Sequence, residues 1–366
     1  MTIHDAAPHE PTKLSELLKA RLPFLRRDTL KRVADVLEAL IQGQSTCHRV
    51  LATFLPSNTS PEARKKRLER CFHDQQITEA VFLRLLLPLL PTGKLVLALD
   101  RTNWTHGTQP LNLLVLGVVL HGFTLPLVWT ALPHGGSSDT ALREQLVARL
   151  LQHLPATRWK VLVADREFIG YQWFRFLRQR GIKRCLRVKG SARVDGDRLD
   201  EVYATLAPGQ TVAMMGKEAV YGCWMQMVVT RSPTGDLVCL ATDLHAQDAC
   251  AVYRLRWSIE CTFSSMKSRG FDLERTGMTR GTRLERLFGL VTLAWVWCLR
   301  VGVNVAVQRP IQVKTHGRQA MSLVTYGWER LAHALRWASP TVSTFVDLLA
   351  GTFSAPGGFE EQGVRY

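Results

Sequence analysis

The sequence predicts an α/β protein in which a mixed sheet with flanking helices is bordered by two helical regions. Apolar, strand-like runs begin only after Gly93, and up to Lys189 they alternate with helical stretches. Their order is strand, strand, strand, helix, strand, helix, strand. Leucines at helical spacing mark both ends of the chain. With 366 residues, of which 46% are hydrophobic and 21% charged, the chain has the composition of a globular protein.

The first 92 residues predict a helical region that contacts DNA. Apolar residues recur at helical spacing between Leu30 and Leu40, behind Asp28, which we interpret as a helix cap. A further helix is predicted to begin with Ser60 as N-cap and Pro61 at the first helical position. Its basic run fits a solvated helix face or a DNA contact about equally well. The residues concerned are Arg64, Lys65, Lys66 and Arg67.

The charge of the chain favours a polyanionic partner. Lys and Arg number 47 against 31 Asp and Glu, a net charge of +16, which suits nucleic acid but also an anionic membrane surface. The apolar run at residues 287–299 is shorter than the roughly 20 residues that cross a bilayer, so we expect a buried core helix and no membrane partner. The N-terminus has no signal-peptide pattern, and a cytoplasmic location is expected.

The cysteines fit that compartment. The eight cysteines contain no Cys-x-x-Cys pair, so mostly buried, reduced thiols are expected. No spacing indicates a zinc site, although cysteines and histidines distant in the sequence could still form one.

Two aspartates directly follow apolar strands. Asp100 follows the predicted strand at residues 94–99, and Asp165 follows the one at residues 160–164. Phosphodiester cleavage by two divalent ions needs carboxylates that converge on cations about 3.5–4 Å apart, and hard oxygen ligands suit Mg²⁺. Taken singly, an aspartate at a strand end is more often a turn or helix cap.

A third acid lies on a long helix predicted from about Asp248 to Arg269. Four polar residues on it stand at offsets 0, 3, 7 and 14, which fall within about 60° of arc on one helix face. They are Tyr253, Arg256, Glu260 and Lys267. The alternative explanation is an ion pair between Arg256 and Glu260 on a solvated surface, which would add only a few tenths of a kcal/mol, roughly.

This spacing resembles a known signature. Tyr253-x-x-Arg256-x-x-x-Glu260, with Lys267 after six further residues, is similar to the Tyr-Arg-Glu-Lys motif of one large class of bacterial insertion-sequence DDE transposases. Residues 97–104 and 164–168 resemble the two aspartate segments of that family. The strand and helix order resembles its ribonuclease-H-like core, with a β-rich insertion between the second Asp and the Glu.

The resemblance implies a role for each motif residue. Asp100, Asp165 and Glu260 would be the catalytic metal ligands, holding two Mg²⁺ ions for which Mn²⁺ can substitute. Tyr253 and Arg256 would contact the DNA around the cut. Lys267 would contact a nearby backbone phosphate, and Trp224 in the insertion would stack on a displaced base, unless it is a core tryptophan.

One position departs from the family pattern. Many relatives have glycine where Glu167 stands, so Glu167 could compete as a metal ligand. We assign Asp165 instead because it directly follows the apolar strand, whereas Glu167 lies in the turn beyond it. The matching motif around Glu260 makes that residue the third ligand.

The implied protein is a transposase that binds insertion-sequence ends in double-stranded DNA, cleaves them by metal-dependent hydrolysis and joins the 3′ ends to target DNA, as a homodimer. A nuclease on the same core without strand transfer, and an inactive DNA-binding repressor, are the alternatives. Residues 251–320 hold twelve Lys and Arg against four Asp and Glu, half of the net charge. The expected regions are 1–92 (helical, DNA-binding), 93–189 (first part of the core), 190–245 (insertion), 246–306 (remainder of the core) and 307–366 (helical, with a loose tail after Thr352).

Overall fold

The computed structural model describes residues 13–55, 59–315 and 317–353. The chain divides into two compact units. The sheet unit is Thr92–Ser264, and the helical unit comprises the described residues of 13–91 and 265–353. The loose tail expected after Thr352 lies, from residue 354 on, outside the described residues.

The region before the sheet is helical, as predicted. Ser60 caps its helix by accepting a hydrogen bond from the amide of Ala63 at 3.2 Å, with Pro61 in the first turn. Asp28 is not a cap, because the helix that contains it already begins at Arg27 and Arg26 occupies the N-cap position. The helices are α1 (Lys13–Arg21), α2 (Arg27–Gly43), α3 (His48–Phe54), α4 (Pro61–His73) and α5 (Glu79–Leu86).

The strands of the sheet unit are β1 (Leu95–His106), β2 (Gln109–Leu120), β3 (Phe123–Ala131), β4 (Trp159–Ala164), β5 (Arg184–Val188), β6 (Arg193–Val194), β7 (Asp197–Arg198), β8 (Thr211–Ala213), β9 (Glu218–Val220), β10 (Cys223–Arg231) and β11 (Leu237–Thr242). The unit is built on one mixed sheet whose strand order is β3-β2-β1-β4-β5-β11-β10-β8, with β9 paired to β10. A separate ribbon joins β6 and β7.

The first five strands reproduce the predicted order. β1, β2 and β3 form an antiparallel meander, whereas β1, β4 and β5 run parallel. Parallel strands covered on both faces read as continuous apolar runs, and β4 accordingly has five of six residues buried.

The segment at residues 190–245 is rich in strands, as predicted, but it is not a separate sheet. β11 pairs antiparallel with β5, with Thr242 opposite Cys185, and β10 and β8 continue the same sheet outward. The sequence could not show this, because alternating apolar residues indicate strands without naming their partners.

The helices of the sheet unit differ from the prediction at one point. Asp139 caps α6 at the amide of Leu142, at 2.7 Å. The single long helix expected around Glu260 is broken at Leu255 and Arg256, where the amide bonds run to the third residue back. The helices are α6 (Thr140–Leu151), α7 (Tyr171–Gln179), α8 (Leu199–Val202), α9 (Ala246–Arg254) and α10 (Trp257–Met266).

The second part of the helical unit contains its central helix. In length and composition α11 (Gly281–Gln308) could cross a membrane, but residues 287–299 are all buried inside the protein. This confirms the prediction of a core helix for that run. The two helices that follow are α12 (Leu323–Arg336) and α13 (Thr341–Asp347).

The cysteines are unpaired. Each of the eight lies among the described residues and is free, and five of them are buried. The expectation of mostly buried thiols is therefore confirmed.

Candidate active site

Strand register places Asp100 and Asp165 side by side. Leu99 on β1 pairs with Ala164 on the parallel strand β4, so the next residue on each strand is one of the two aspartates. The prediction that Asp100 ends its strand is wrong, since β1 continues to His106 through its pairing with β2. What ends at Leu99 is the parallel pairing with β4, so both aspartates lie just beyond the last parallel pair.

Glu260 lies on α10, which is fixed to the start of β3. The hydroxyl of Thr262 accepts a hydrogen bond from the amide of Thr124 at 2.8 Å and donates one to its carbonyl oxygen at 2.9 Å. A further hydrogen bond of 2.6 Å joins the hydroxyls of Thr124 and Ser258. These buried contacts set the orientation of α10 and therefore of Glu260.

Arg256 joins two of the three acids. Its Nη1 atom lies 3.3 Å from Oδ2 of Asp100 and 2.6 Å from Oε1 of Glu260. The alternative of a solvated surface pair is wrong, because the Arg256 side chain is only 11% exposed and also binds Asp100. Burial works against the charge of Arg256, but Tyr253, Glu260 and Asp100 keep its pKa above the usual value.

Asp165 has two polar neighbours. The Tyr253 hydroxyl donates a hydrogen bond to Oδ1 of Asp165 at 3.1 Å, and Nη1 of Arg187 lies 3.8 Å from the same oxygen. Burial, above all, raises the pKa of Tyr253, so the phenol keeps its proton. The sequence did not indicate Arg187 as a site residue, because only the pairing of Ala164 with Leu186 brings β5 beside Asp165.

The surroundings of Asp100 alter its titration. Burial raises its pKa to about 6, against the hydrogen bond from the amide of Arg101 and the charge of Arg256. The negative charges of Glu260 and Asp165 raise it further. Glu260 and Asp165 therefore both act electrostatically on Asp100, and together we call the three acids the acid cluster.

Glu167 is engaged elsewhere. Its two carboxylate oxygens accept hydrogen bonds from Nε and Nη2 of Arg101 at 2.5 and 2.7 Å, a bidentate ion pair. Arg101 also donates to the buried side chain of Asn112, whose amide holds the carbonyl oxygens of His134 and Gly136. Glu167 thus connects the two aspartate segments and is committed to a cation of the protein itself.

The acid cluster has the donors that a divalent ion prefers. Carboxylate oxygens are hard ligands suited to Mg²⁺. A bound cation would favour the ionised form of Asp100, against the burial and the neighbouring acids that raise its pKa. Within the described residues, no group of three or more His, Cys, Asp or Glu side chains is arranged to hold a metal ion. Arg256 instead supplies positive charge to Asp100 and Glu260.

The remaining predicted residues lie in varied settings. Trp224 is not a core tryptophan, because 68% of it is exposed on β10. Lys267 follows α10 rather than lying on it, belongs to the helical unit, and contacts Glu274 at 3.1 Å. On α4, Lys65 and Lys66 are exposed, Arg67 pairs with Asp35, and the described atoms give the buried Nε of Arg64 no hydrogen-bond partner.

Comparison with known proteins adds independent observations. No curated protein matches the chain in sequence. Among solved structures, the chain is similar to one from a cryo-EM structure of a piggyBac transposase synaptic complex with hairpin DNA. That similarity has 13% identity and a TM-score of 0.48 over 98% of this chain and 86% of the other. The family model described as "Transposase DDE domain" matches residues 91–297. Since that match covers more than half of the sequence and includes the whole acid cluster, the chain belongs to the DDE transposase domain family.

Proposed function

We propose that this protein is the transposase of a bacterial insertion sequence, of the class with the Tyr-Arg-Glu-Lys signature. It would bind the element ends, cleave them and join their 3′ ends to target DNA. Membership of the DDE transposase family indicates an enzyme that acts on DNA. The five-strand order β3-β2-β1-β4-β5, antiparallel in its first three strands, supports a ribonuclease-H-like core.

One observation carries the proposal. Residues separated by up to 160 positions meet in one cluster, where Arg256 binds Asp100 and Glu260 while Tyr253 binds Asp165. These are the three acids together with two of the signature residues. A surface ion pair would need only the local contact between Arg256 and Glu260, so the convergence supports a common functional site.

The acid cluster would hold the metal. DDE transposase domains generally use divalent metal ions, and we propose two Mg²⁺ ions held by Asp100, Asp165 and Glu260, with Mn²⁺ as a substitute. When bound, such ions activate the attacking oxygen and stabilise the leaving oxygen. In cleavage, a water oxygen bonds to phosphorus and the bond to the 3′ oxygen breaks. In joining, the oxygen of that 3′ hydroxyl bonds to a target phosphorus and loses its proton. The bond from that phosphorus to the target's own 3′ oxygen breaks, and the target strand leaves with a protonated 3′ oxygen.

Tyr253, Arg256 and Lys267 are proposed to position the DNA. Arg offers a bidentate fork to phosphate, Lys a point charge and Tyr a stacking face. Each of them has an acidic partner within the DNA-free protein. Tyr253 binds Asp165, Arg256 binds Asp100 and Glu260, and Lys267 binds Glu274. Their contact with DNA would therefore exchange one anionic partner for another. Trp224 is exposed enough to stack on a displaced base.

The partners follow from the same proposal. Double-stranded DNA, as element end and as target, fits the net charge of +16. Joining two ends at one target calls for two active sites, so we propose a homodimer in the DNA-paired complex. The cytoplasm, where bacterial DNA lies, is the proposed location.

A strand-transfer assay tests the proposal. The protein is incubated with Mg²⁺, a labelled duplex carrying one end of its element, and a target plasmid. Joined products are expected from the wild type, and none when Asp165→Asn is used as a folded control. Cleavage without joining would identify a nuclease on the same core. Binding without cleavage by the wild type would identify a DNA-binding repressor, and either result would overturn the proposal.

A further inference from the structure

The helical unit contains a basic cavity that the predicted DNA contacts do not include. Its volume is about 320 Å³, and its lining includes Arg26, Arg32, Arg70 and His73. Two of these come from the beginning of α2 and two from the last turn of α4. We call it the basic cavity. It involves none of the residues Arg64 to Arg67 on which the sequence argument relied.

The cations of this cavity are largely uncommitted. Among the described residues that line it, Asp74 is the only acid. Its charge is neutralised by Arg32 at 2.6 Å, and it accepts a hydrogen bond from the Thr29 hydroxyl at 2.7 Å. Within the described parts of the chain, Arg26, Arg70 and His73 are exposed and form no ion pair. The cavity therefore has an excess of positive charge facing solvent.

Two further features point to an anionic ligand. Arg26 occupies the N-cap of the 17-residue helix α2, and no side chain caps that end. The first-turn amides of a helix have no acceptor within the helix and carry the positive end of its dipole, which attracts phosphate. In addition, the buried Nε of Arg32 has no hydrogen-bond partner among the described atoms, although its Nη2 binds Asp74.

We propose that the basic cavity binds a backbone phosphate of double-stranded DNA. This inference rests on the proposed function, since a transposase must hold duplex DNA outside the site of cleavage. Arginine forks and helix-terminal amides are the usual partners of DNA phosphates, and such contacts fix position without reading sequence. Because α4 ends at the cavity, basic side chains there could instead serve only to stabilise that helix end, and the experiment separates these roles.

The test is the salt dependence of binding to a mixed-sequence duplex, measured without Mg²⁺. Each lost phosphate contact lowers the slope of log K against log salt by about 0.9. Arg26→Ala and Arg70→Ala are each expected to show this decrease with an unchanged melting temperature. Arg27→Ala is the matched control, because Arg27 is exposed and adjacent but does not line the cavity. It is expected to keep the wild-type slope.

Three results would overturn the proposal. They are unchanged slopes in both cavity variants, a decrease equally large in Arg27→Ala, and no duplex binding by the wild type. A lowered melting temperature with an unchanged slope would indicate a helix-end role. Cleavage is measured separately. Wild-type cleavage with unchanged slopes would refute only the cavity, whereas lowered slopes without cleavage would refute only the proposed enzyme.

Discussion

Two arginines of the sheet unit and two arginines of the helical unit differ in their partners. In the sheet unit, Arg256 and Arg101 are both held by acids, at Asp100 with Glu260 and at Glu167. In the helical unit, Arg26 and Arg70 line a cavity without an acidic partner among the described residues. An arginine that is already paired orders the protein, whereas an unpaired one is available to a ligand. The net charge of a region therefore measures its attraction for DNA only after the basic residues paired with acids of the protein are left out.

The largest expected effect comes from the acid cluster. Asp100→Asn, Asp165→Asn and Glu260→Gln should each lower the rate of Mg²⁺-dependent end cleavage by on the order of 10²–10³-fold or more, the loss typical of a removed electrostatic group at a reacting centre. Binding of the end without Mg²⁺ should change little, because a carboxylate adds nothing to phosphate attraction. Cleavage and filter-binding assays on the same variants measure both. Near-normal cleavage by any one variant at saturating Mg²⁺ would remove that residue from the site.

Arg256→Ala tests whether this arginine is committed to the protein. Removing it leaves Asp100 and Glu260 without their cation, and we expect a loss of about 2 kcal/mol in the free energy of unfolding. This is below the cost for a fully buried pair, because the Glu260 side chain is 36% exposed. Mg²⁺ should stabilise this variant more than the wild type, as measured by denaturant unfolding. The matched control is Arg254→Ala, since Arg254 is exposed two residues earlier.

The salt slope extends this comparison to DNA. Without Mg²⁺, Arg256→Ala should leave the slope for duplex binding unchanged, because Asp100 and Glu260 hold its guanidinium until metal takes its place, and its proposed contact with DNA follows only then. A decrease of about 0.9, equal to that expected for the cavity variants, would show that Arg256 contacts phosphate even in the metal-free protein. The distinction between paired and unpaired arginines would then fail.

Glu167→Gly should have a moderate effect. Loss of the bidentate pair with Arg101, whose side chains are 17% and 25% exposed, should cost about 1 kcal/mol in stability. Cleavage should stay within about tenfold of wild type, a factor that corresponds to about 1.4 kcal/mol, because Glu260 is the proposed third ligand. Thermal unfolding and cleavage rates check both parts. Loss of cleavage as complete as in Glu260→Gln would instead make Glu167 a ligand.

A further effect concerns an acid of the helical unit outside both sites. Burial, with the charge of Asp35 added, raises the pKa of Glu38 to about 7. Its protonated form is therefore favoured by folding, so its contribution to stability is present below about pH 4.5 and is lost as the pH rises through about 7. At pH 8, the free energy of unfolding of Glu38→Gln should be about 1–2 kcal/mol higher than that of the wild type, after allowance for the partial exposure of Glu38. No difference from wild type at pH 8 would contradict this.

Much of the sheet unit could be predicted from its sequence. The parallel strand before Asp165 is a continuous apolar run, and the order of the first five strands follows from apolar and helical periods. The continuation of β1 past Asp100 could have been found, because Thr102 and Trp104 are buried while Asn103 and Thr105 are exposed. That alternation of period two is carried partly by polar residues, which an apolar pattern overlooks.

Other features depend on contacts that the sequence does not reveal. The break between α9 and α10 has no glycine or proline to mark it, and α10 is oriented by the bonds of Ser258 and Thr262 to Thr124. The pairing of Glu167 with Arg101 joins residues 66 positions apart. The basic cavity likewise depends on the approach of α2 and α4. The sequence shows that its lining residues are basic but not that they lie together.

The most direct test of the central claim locates the metal itself. Fe²⁺ replaces Mg²⁺ in the protein, and ascorbate with peroxide generates radicals that cut the backbone near the bound ion. We predict cuts near residues 100, 165 and 260 that excess Mg²⁺ suppresses and that Asp100→Asn abolishes. Cuts confined to other parts of the chain, or cuts near these residues that persist in Asp100→Asn, would contradict the assignment of the acid cluster as the metal site.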